Sequence, residues 1–133
     1  EDLITTLSKI PRYIVCSRVT KRPIFAFVST KIRPNDALAV FPLPDDYSFG
    51  IFSSNAHWEW FQARCSSLKD DPRYTSDTVF DSFPWPQSAT EKQARTVAAA
   101  AVALRKTRSK LQADHGYSLR SLYELLRSLA RTP

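Results

Sequence analysis

The 133-residue sequence has no methionine and only two glycines, two cysteines and two histidines. Each shortage closes a class of chemistry. With glycine at positions 50 and 116 alone, neither a G-x-G-x-x-G nor a G-x-x-x-x-G-K-[ST] phosphate loop can be written. His57 and His115 lie far apart and outside any H-E-x-x-H arrangement, and no G-x-S-x-G nucleophile elbow occurs. Cys16 and Cys65 fall far below the density of a secreted disulfide scaffold and are read as buried free thiols. No apolar run approaches the roughly 18–20 residues a membrane helix requires, and the first residues have neither the basic nor the apolar region of a signal peptide. The expectation is a soluble, intracellular chain. Because it starts at Glu1 without methionine, it is read as a fragment of a longer protein.

What is present is the composition of one globular domain with a real core, 43% hydrophobic and 24% charged, with a net charge of +6. Residues 1–44 carry seven Lys/Arg against three Asp/Glu, residues 45–88 three against seven, and residues 89–133 nine against three. Such blocks suit solvated faces, and two basic segments around an acidic one also suit a nucleic-acid groove. An anionic partner is expected, nucleic acid before membrane, since no strongly hydrophobic amphipathic face accompanies the charge.

The coarse reading is α+β: a small antiparallel or mixed sheet packed by a long helix, followed by a C-terminal helical hairpin. Residues 12–20 and 24–29 are rich in β-branched and aromatic residues and flank Pro23, so a hairpin is predicted, with a third strand over 37–41 closed by Pro42. Asp45 and Asp46 predict a helix N-terminus. Phe49, Phe52, Ala56, Trp60 and Ala63 recur at three or four, predicting one helix from Tyr47 to about Cys65 that covers the sheet. Residues 66–87, with Pro72, Pro84 and Pro86, read as mostly loop with a short strand over 77–81. Ser88 and Glu91 predict a capping box for an alanine-rich helix over 94–111, ended by Gly116. Leu119, Leu122, Tyr123, Leu126 and Leu129 mark a last amphipathic helix, paired with its predecessor.

No complete active site is legible. His57, between Ala56 and Trp58, is read as a hydrogen-bonded packing residue. Asp45–Asp46 is read as a cap. Asp70–Asp71 suits loop solvation, or a metal or acid–base role.

The ordered succession of Arg12-Tyr-Ile-Val and Arg18-Val, Pro23-Ile-Phe-Ala-Phe-Val28, Asp46-Tyr-Ser-Phe-Gly50, Ser54 with His57 and Trp60, Leu68-Lys through Arg73-Tyr-Thr-Ser76, and Val79-Phe through Phe83-Pro-Trp-Pro86 resembles the target recognition domain of MmeI-like, type IIL restriction–modification enzymes and their methylase relatives. Residues 94–108 and 118–123 resemble the helical region that follows in that family. The resemblance implies two parts, a target recognition domain over 1–87 and a C-terminal helical region over 88–133. It further implies double-stranded DNA as partner, a bacterial or archaeal cytoplasmic setting, and a neighbouring adenine-N6 methyltransferase domain using S-adenosylmethionine, with Mg²⁺ if a nuclease is fused. The methylase tetrapeptide, its glycine-bearing cofactor motif and a PD-(D/E)xK series are not found in this sequence, so no cofactor, metal or catalytic residue is assigned to the chain itself.

The resemblance places Lys69, Asp71 and Arg73 in a loop that helps choose a base. Lysine donates to guanine and aspartate accepts from cytosine N4, so Lys69 with Asp71 suits a G·C pair. The alternative is that Asp71 pairs with Arg73 and stiffens the loop. Asn35 and Asp36 are further base-reading candidates, and Arg18, Lys21, Arg22, Lys31 and Arg33, at predicted strand ends, are candidates for phosphate contacts. Phe83-Pro-Trp-Pro86 is read as a packed plug rather than a wedge. A second reading makes the C-terminal helices a protein-interaction or domain-packing platform without base reading.

Overall fold

The structure, a computed structural model, describes residues 2–68 and 71–130. It is built outward from strand β1 (Arg12–Ser17), whose Tyr13, Ile14, Val15 and Cys16 are all buried. A strand alternates its side chains between two faces, so a strand apolar at four consecutive positions must be covered on both. β1 is accordingly central, in the order β2-β1-β3, and antiparallel to both β2 (Ala26–Ser29) and β3 (Leu38–Phe41). Arg12 stands opposite Ser29, and Ser17 opposite Leu38. The chain must therefore cross between the two ends of the sheet over residues 30–37, and Tyr13 Oη holds the crossing by donating to the Ile32 carbonyl at 2.6 Å. With helix α1 (Leu3–Leu7), this covers a small cluster of Leu7, Tyr13 and Val15, with Ile10, Val28, Leu38 and Val40 against it.

The opposite face carries Ile14, Cys16, Phe25, Ala39 and Phe41 into the main core. The helix expected over 47–65 is two helices, α2 (Asp46–Phe52) and α3 (Asn55–Arg64). Asp45 caps α2, its carboxylate accepting from Ser48 N at 2.8 Å, and Ser54 caps α3 by accepting from His57 N. A second N-cap in mid-run stops one helix and restarts the next, which resets the buried face. Phe49 and Phe52 are buried as expected, but beyond the break His57 and Phe61 point inward, while Ala56 and Ala63 are exposed.

Residues 66–68 and 71–73, expected as loop, are instead two strands of a hairpin, β4 (Ser66–Leu68) antiparallel to β5 (Asp71–Arg73). The strand expected over 77–81 is instead a π-helical turn, Ser76–Phe80, whose Val79 is buried. Phe83 and Trp85 pack edge-on against His57 and Phe52, as a plug does. Cys16 is buried and free, and Cys65, also free, is only half-buried.

Helix α4 (Glu91–His115) starts in a capping box two residues later than expected. Thr90 Oγ1 accepts from Gln93 N, and Thr90 N donates to the Gln93 side chain. Gly116, at φ 69°, supplies the left-handed residue that ends it. α4 lies across α2 at Gly50, where a Cβ would meet Val97 Cγ1 at 2.6 Å; glycine is required by this close approach. Two arginines of α4, Arg105 and Arg108, fasten it to the rest of the domain. Arg105 and Arg12 both pair with Asp46 and both lie over the Phe27 ring, while buried Arg108 donates to the Phe25 carbonyl at 2.9 Å. Helix α5 (Leu119–Ala130) follows, with Leu122 buried and Leu125 and Leu126 exposed.

Candidate nucleic-acid interface

Several of the candidate residues collect at one end of the sheet. The chain leaving β1 runs beside β5: Tyr74 N donates to the Arg18 carbonyl at 2.7 Å, Thr20 N to the Pro72 carbonyl at 3.0 Å, and Val19 bridges Arg73. On the other flank, Arg18 N donates to the Ala37 carbonyl, Arg18 Nε to the Leu38 carbonyl, and Asn35 closes a local turn by accepting from Ala37 N. The structure thus brings Arg18, Lys21, Asn35, Asp36 and Arg73 to the Ser17 end, with Lys21, Asn35 and Asp36 exposed.

Not every candidate joins them. Lys31 follows Thr30, which bonds to Pro11 at the opposite end, and β1 separates the two ends by roughly 17 Å. Arg33 is exposed on the crossing. Arg22 is half-buried, with its guanidinium over the rings of Trp58 and Tyr123 at 4.8 and 5.2 Å, so packing already uses its face. Arg73 is half-buried, with a buried Nε that has no hydrogen-bond partner among the described residues. Lys69 and Asp70 lie outside the described residues; Asp71 begins β5.

A groove of about 330 Å³ opens beside the hairpin, between Thr20, Lys21 and Pro72 on one wall and Arg120 and Tyr123 of α5 on the other. Arg120, ion-paired with Glu124 at 3.1 Å, adds a cation that sequence patterning did not single out, since an i,i+4 pair on a helix reads as ordinary solvated surface.

Under this end lies a buried polar pair. His57 Nε2 and Tyr74 Oη are 2.7 Å apart, and the two residues are 0% and 1% exposed. Burial holds the His57 pKa down to about 4. Burial raises that of Tyr74, and nearby Cys16 adds to the rise. Both groups are therefore neutral at pH 7, and their mutual bond offsets part of the cost of taking them from water, His57 Nδ1 being buried without a hydrogen-bond partner among the described residues. His57 is thus a packing residue, as its sequence context suggested. Burial likewise pushes the Cys16 thiol up to about 12, against the effect of Arg18, and leaves it a poor nucleophile.

Among the described residues no group of three or more His, Cys, Asp and Glu side chains is placed to hold a metal, and no helix is long and apolar enough to cross a membrane. The arrangement offers a rigid sheet end that projects mixed charge, suited to contacts with phosphates and base edges.

A family model described as the target recognition domain of MmeI matches residues 9–87. A solved structure of the Type IIL restriction-modification enzyme MmeI in complex with DNA is similar over 84% of this chain, at 28% identity and a TM-score of 0.71. The match covers 14% of that enzyme's chain. No curated protein matches.

Proposed function

The chain belongs to the MmeI target recognition domain family, and from that we propose that it selects the DNA sequence on which a restriction–modification enzyme acts. The observation that carries the reading is the extent of the match. Residues 9–87 contain the sheet, the hairpin and the aromatic core that supports them. The likeness to a DNA-bound enzyme supports double-stranded DNA as the partner.

In this reading the Ser17 end of the sheet faces the major groove. Arg18 and Lys21, joined by Arg120 across the groove, contact phosphates and set the register, and Lys31 and Arg33 meet the backbone farther along. Such contacts carry affinity without sequence choice. The hairpin supplies the choice. Lys69 donates to guanine O6 or N7, Asp71 accepts from the amino group of the paired cytosine, and Arg73, Asn35 and Asp36 read neighbouring edges. The enzyme so directed is a site-specific adenine-N6 methyltransferase acting in the cytoplasm. Its methyl donor, S-adenosylmethionine, is held by a methyltransferase domain outside this chain, and Mg²⁺ serves a nuclease where one is fused. The division at residue 87 separates base reading from a helical region that packs on it through Arg105 and Arg108.

Titration of a labelled duplex at several salt concentrations tests the DNA partner. The chain is expected to bind with a Kd of about 10⁻⁴–10⁻⁶ M, log K falling by about 0.9 per phosphate neutralised for each tenfold rise in salt. Arg18→Ala should flatten that slope by about 1. Binding insensitive to salt would instead favour the protein-platform reading.

A further inference from the structure

The β4–β5 hairpin has three residues in each strand, too few to hold a shape alone. Side chains that read base edges must nonetheless be placed to about 0.5 Å and 10–20°. The needed rigidity has to come from the body of the protein. The backbone bonds from Thr20 N to the Pro72 carbonyl and from Tyr74 N to the Arg18 carbonyl secure β5 on one side only. What reaches the core is the Tyr74 ring, one residue past the hairpin. It stacks on Phe61 and meets Phe25 and Phe41 edge-on, and its hydroxyl bonds with His57 at 2.7 Å.

We propose that His57 is a positioning residue for base selection, acting through Tyr74 to fix where the hairpin leaves the core. An apolar ring could fill this space. Only a directional bond fixes the phenol along its own axis, and with it the backbone at Arg73. His57 is itself held, its backbone N bonded to the Ser54 cap and its ring edge-on to Phe25, Phe52 and Phe83. The chain of contact therefore runs from the α3 N-terminus through two buried side chains to the hairpin. This inference rests on the reading that the hairpin faces a base pair.

The test is selection of bound duplexes from a pool randomised in sequence, performed with the wild-type chain, Tyr74→Phe and His57→Gln, together with amide hydrogen exchange by NMR. Tyr74→Phe keeps the ring and removes the bond. It is expected to lower the preference at one base pair by about tenfold, to leave affinity for unselected duplex within about twofold, and to speed exchange at Arg73 and Tyr74 but not at Ile14–Cys16. Glutamine at position 57 retains a partner for the phenol, so His57→Gln should keep most of the preference. A Tyr74→Phe chain with wild-type preference and wild-type exchange overturns the proposal. Exchange sped uniformly across the chain also overturns it, because that is global destabilisation. Absence of any base preference in the wild type contradicts base reading itself, and the exchange comparison then still decides whether the anchor exists.

Discussion

Phe61→Ala is expected to lower the unfolding free energy by about 4 kcal/mol, whereas Ala63→Gln should change it by no more than about 0.5 kcal/mol. The contrast follows from the break between α2 and α3. In an unbroken helix from Tyr47, positions 56, 60 and 63 would continue the buried stripe of Phe49 and Phe52, and a glutamine at 63 would be forced into the core. The Ser54 cap restarts the helix, so Phe61 lies 1% exposed against Tyr74 and Trp58 while Ala63 faces solvent. Truncating Phe61 removes a buried ring and leaves a cavity between rigid neighbours that cannot collapse into it. Urea unfolding followed by tryptophan fluorescence checks both variants, a shift in midpoint at constant slope marking a change in stability alone. Strong destabilisation by Ala63→Gln would restore the single helix.

Acid should weaken the fold through His57. Its pKa is about 4 in the folded protein against 6.5 unfolded, so between those values the unfolded chain binds more protons, and stability falls as pH drops. The stabilisation is whole above pH 6.5, declines through the interval, and has lost about 3 kcal/mol by pH 4. Tyr74, the group bonded to His57, has its pKa raised and stays neutral throughout, so it adds no slope of its own. Unfolding free energies measured from pH 7 to pH 4 for wild type and His57→Gln isolate the effect, because other titrating groups contribute to both curves and cancel. The wild-type curve should be the steeper by about 3 kcal/mol over the interval; parallel curves would mean that His57 charges without cost.

Local signals carried much of the fold. The Asp45 cap, the strands around Pro23, the glycine stop at 116 and the proline-flanked plug each depend on residues within a few positions, and a sequence displays such relations directly. What escaped depends on distance or on competition between equal signals. Ser54 resembles any other serine until its hydroxyl is seen to accept from His57 N. Ser88 and Thr90 are both competent caps, and Thr90 prevails because Gln93 reaches back to its amide. Nothing local marks Arg105 or Arg108, because their partners, Asp46 and the Phe25 carbonyl, are 59 and 83 residues away. The candidate readers were legible as residue types through the family resemblance. That Arg18 and Arg73 share one end of the sheet while Lys31 lies at the other follows from strand register, which no local pattern encodes. The anchoring of the hairpin on His57 was likewise hidden, since seventeen residues separate the histidine from its partner.

The most direct test of target choice by the hairpin is duplex selection by a chain carrying Lys69→Glu with Asp71→Arg, compared with wild type. Reversing donor and acceptor should reverse the preferred base pair at one position, from G·C to C·G, and leave the rest of the selected sequence intact. The wild-type sequence recovered unchanged, with base preference intact, would contradict base reading by Lys69 and Asp71.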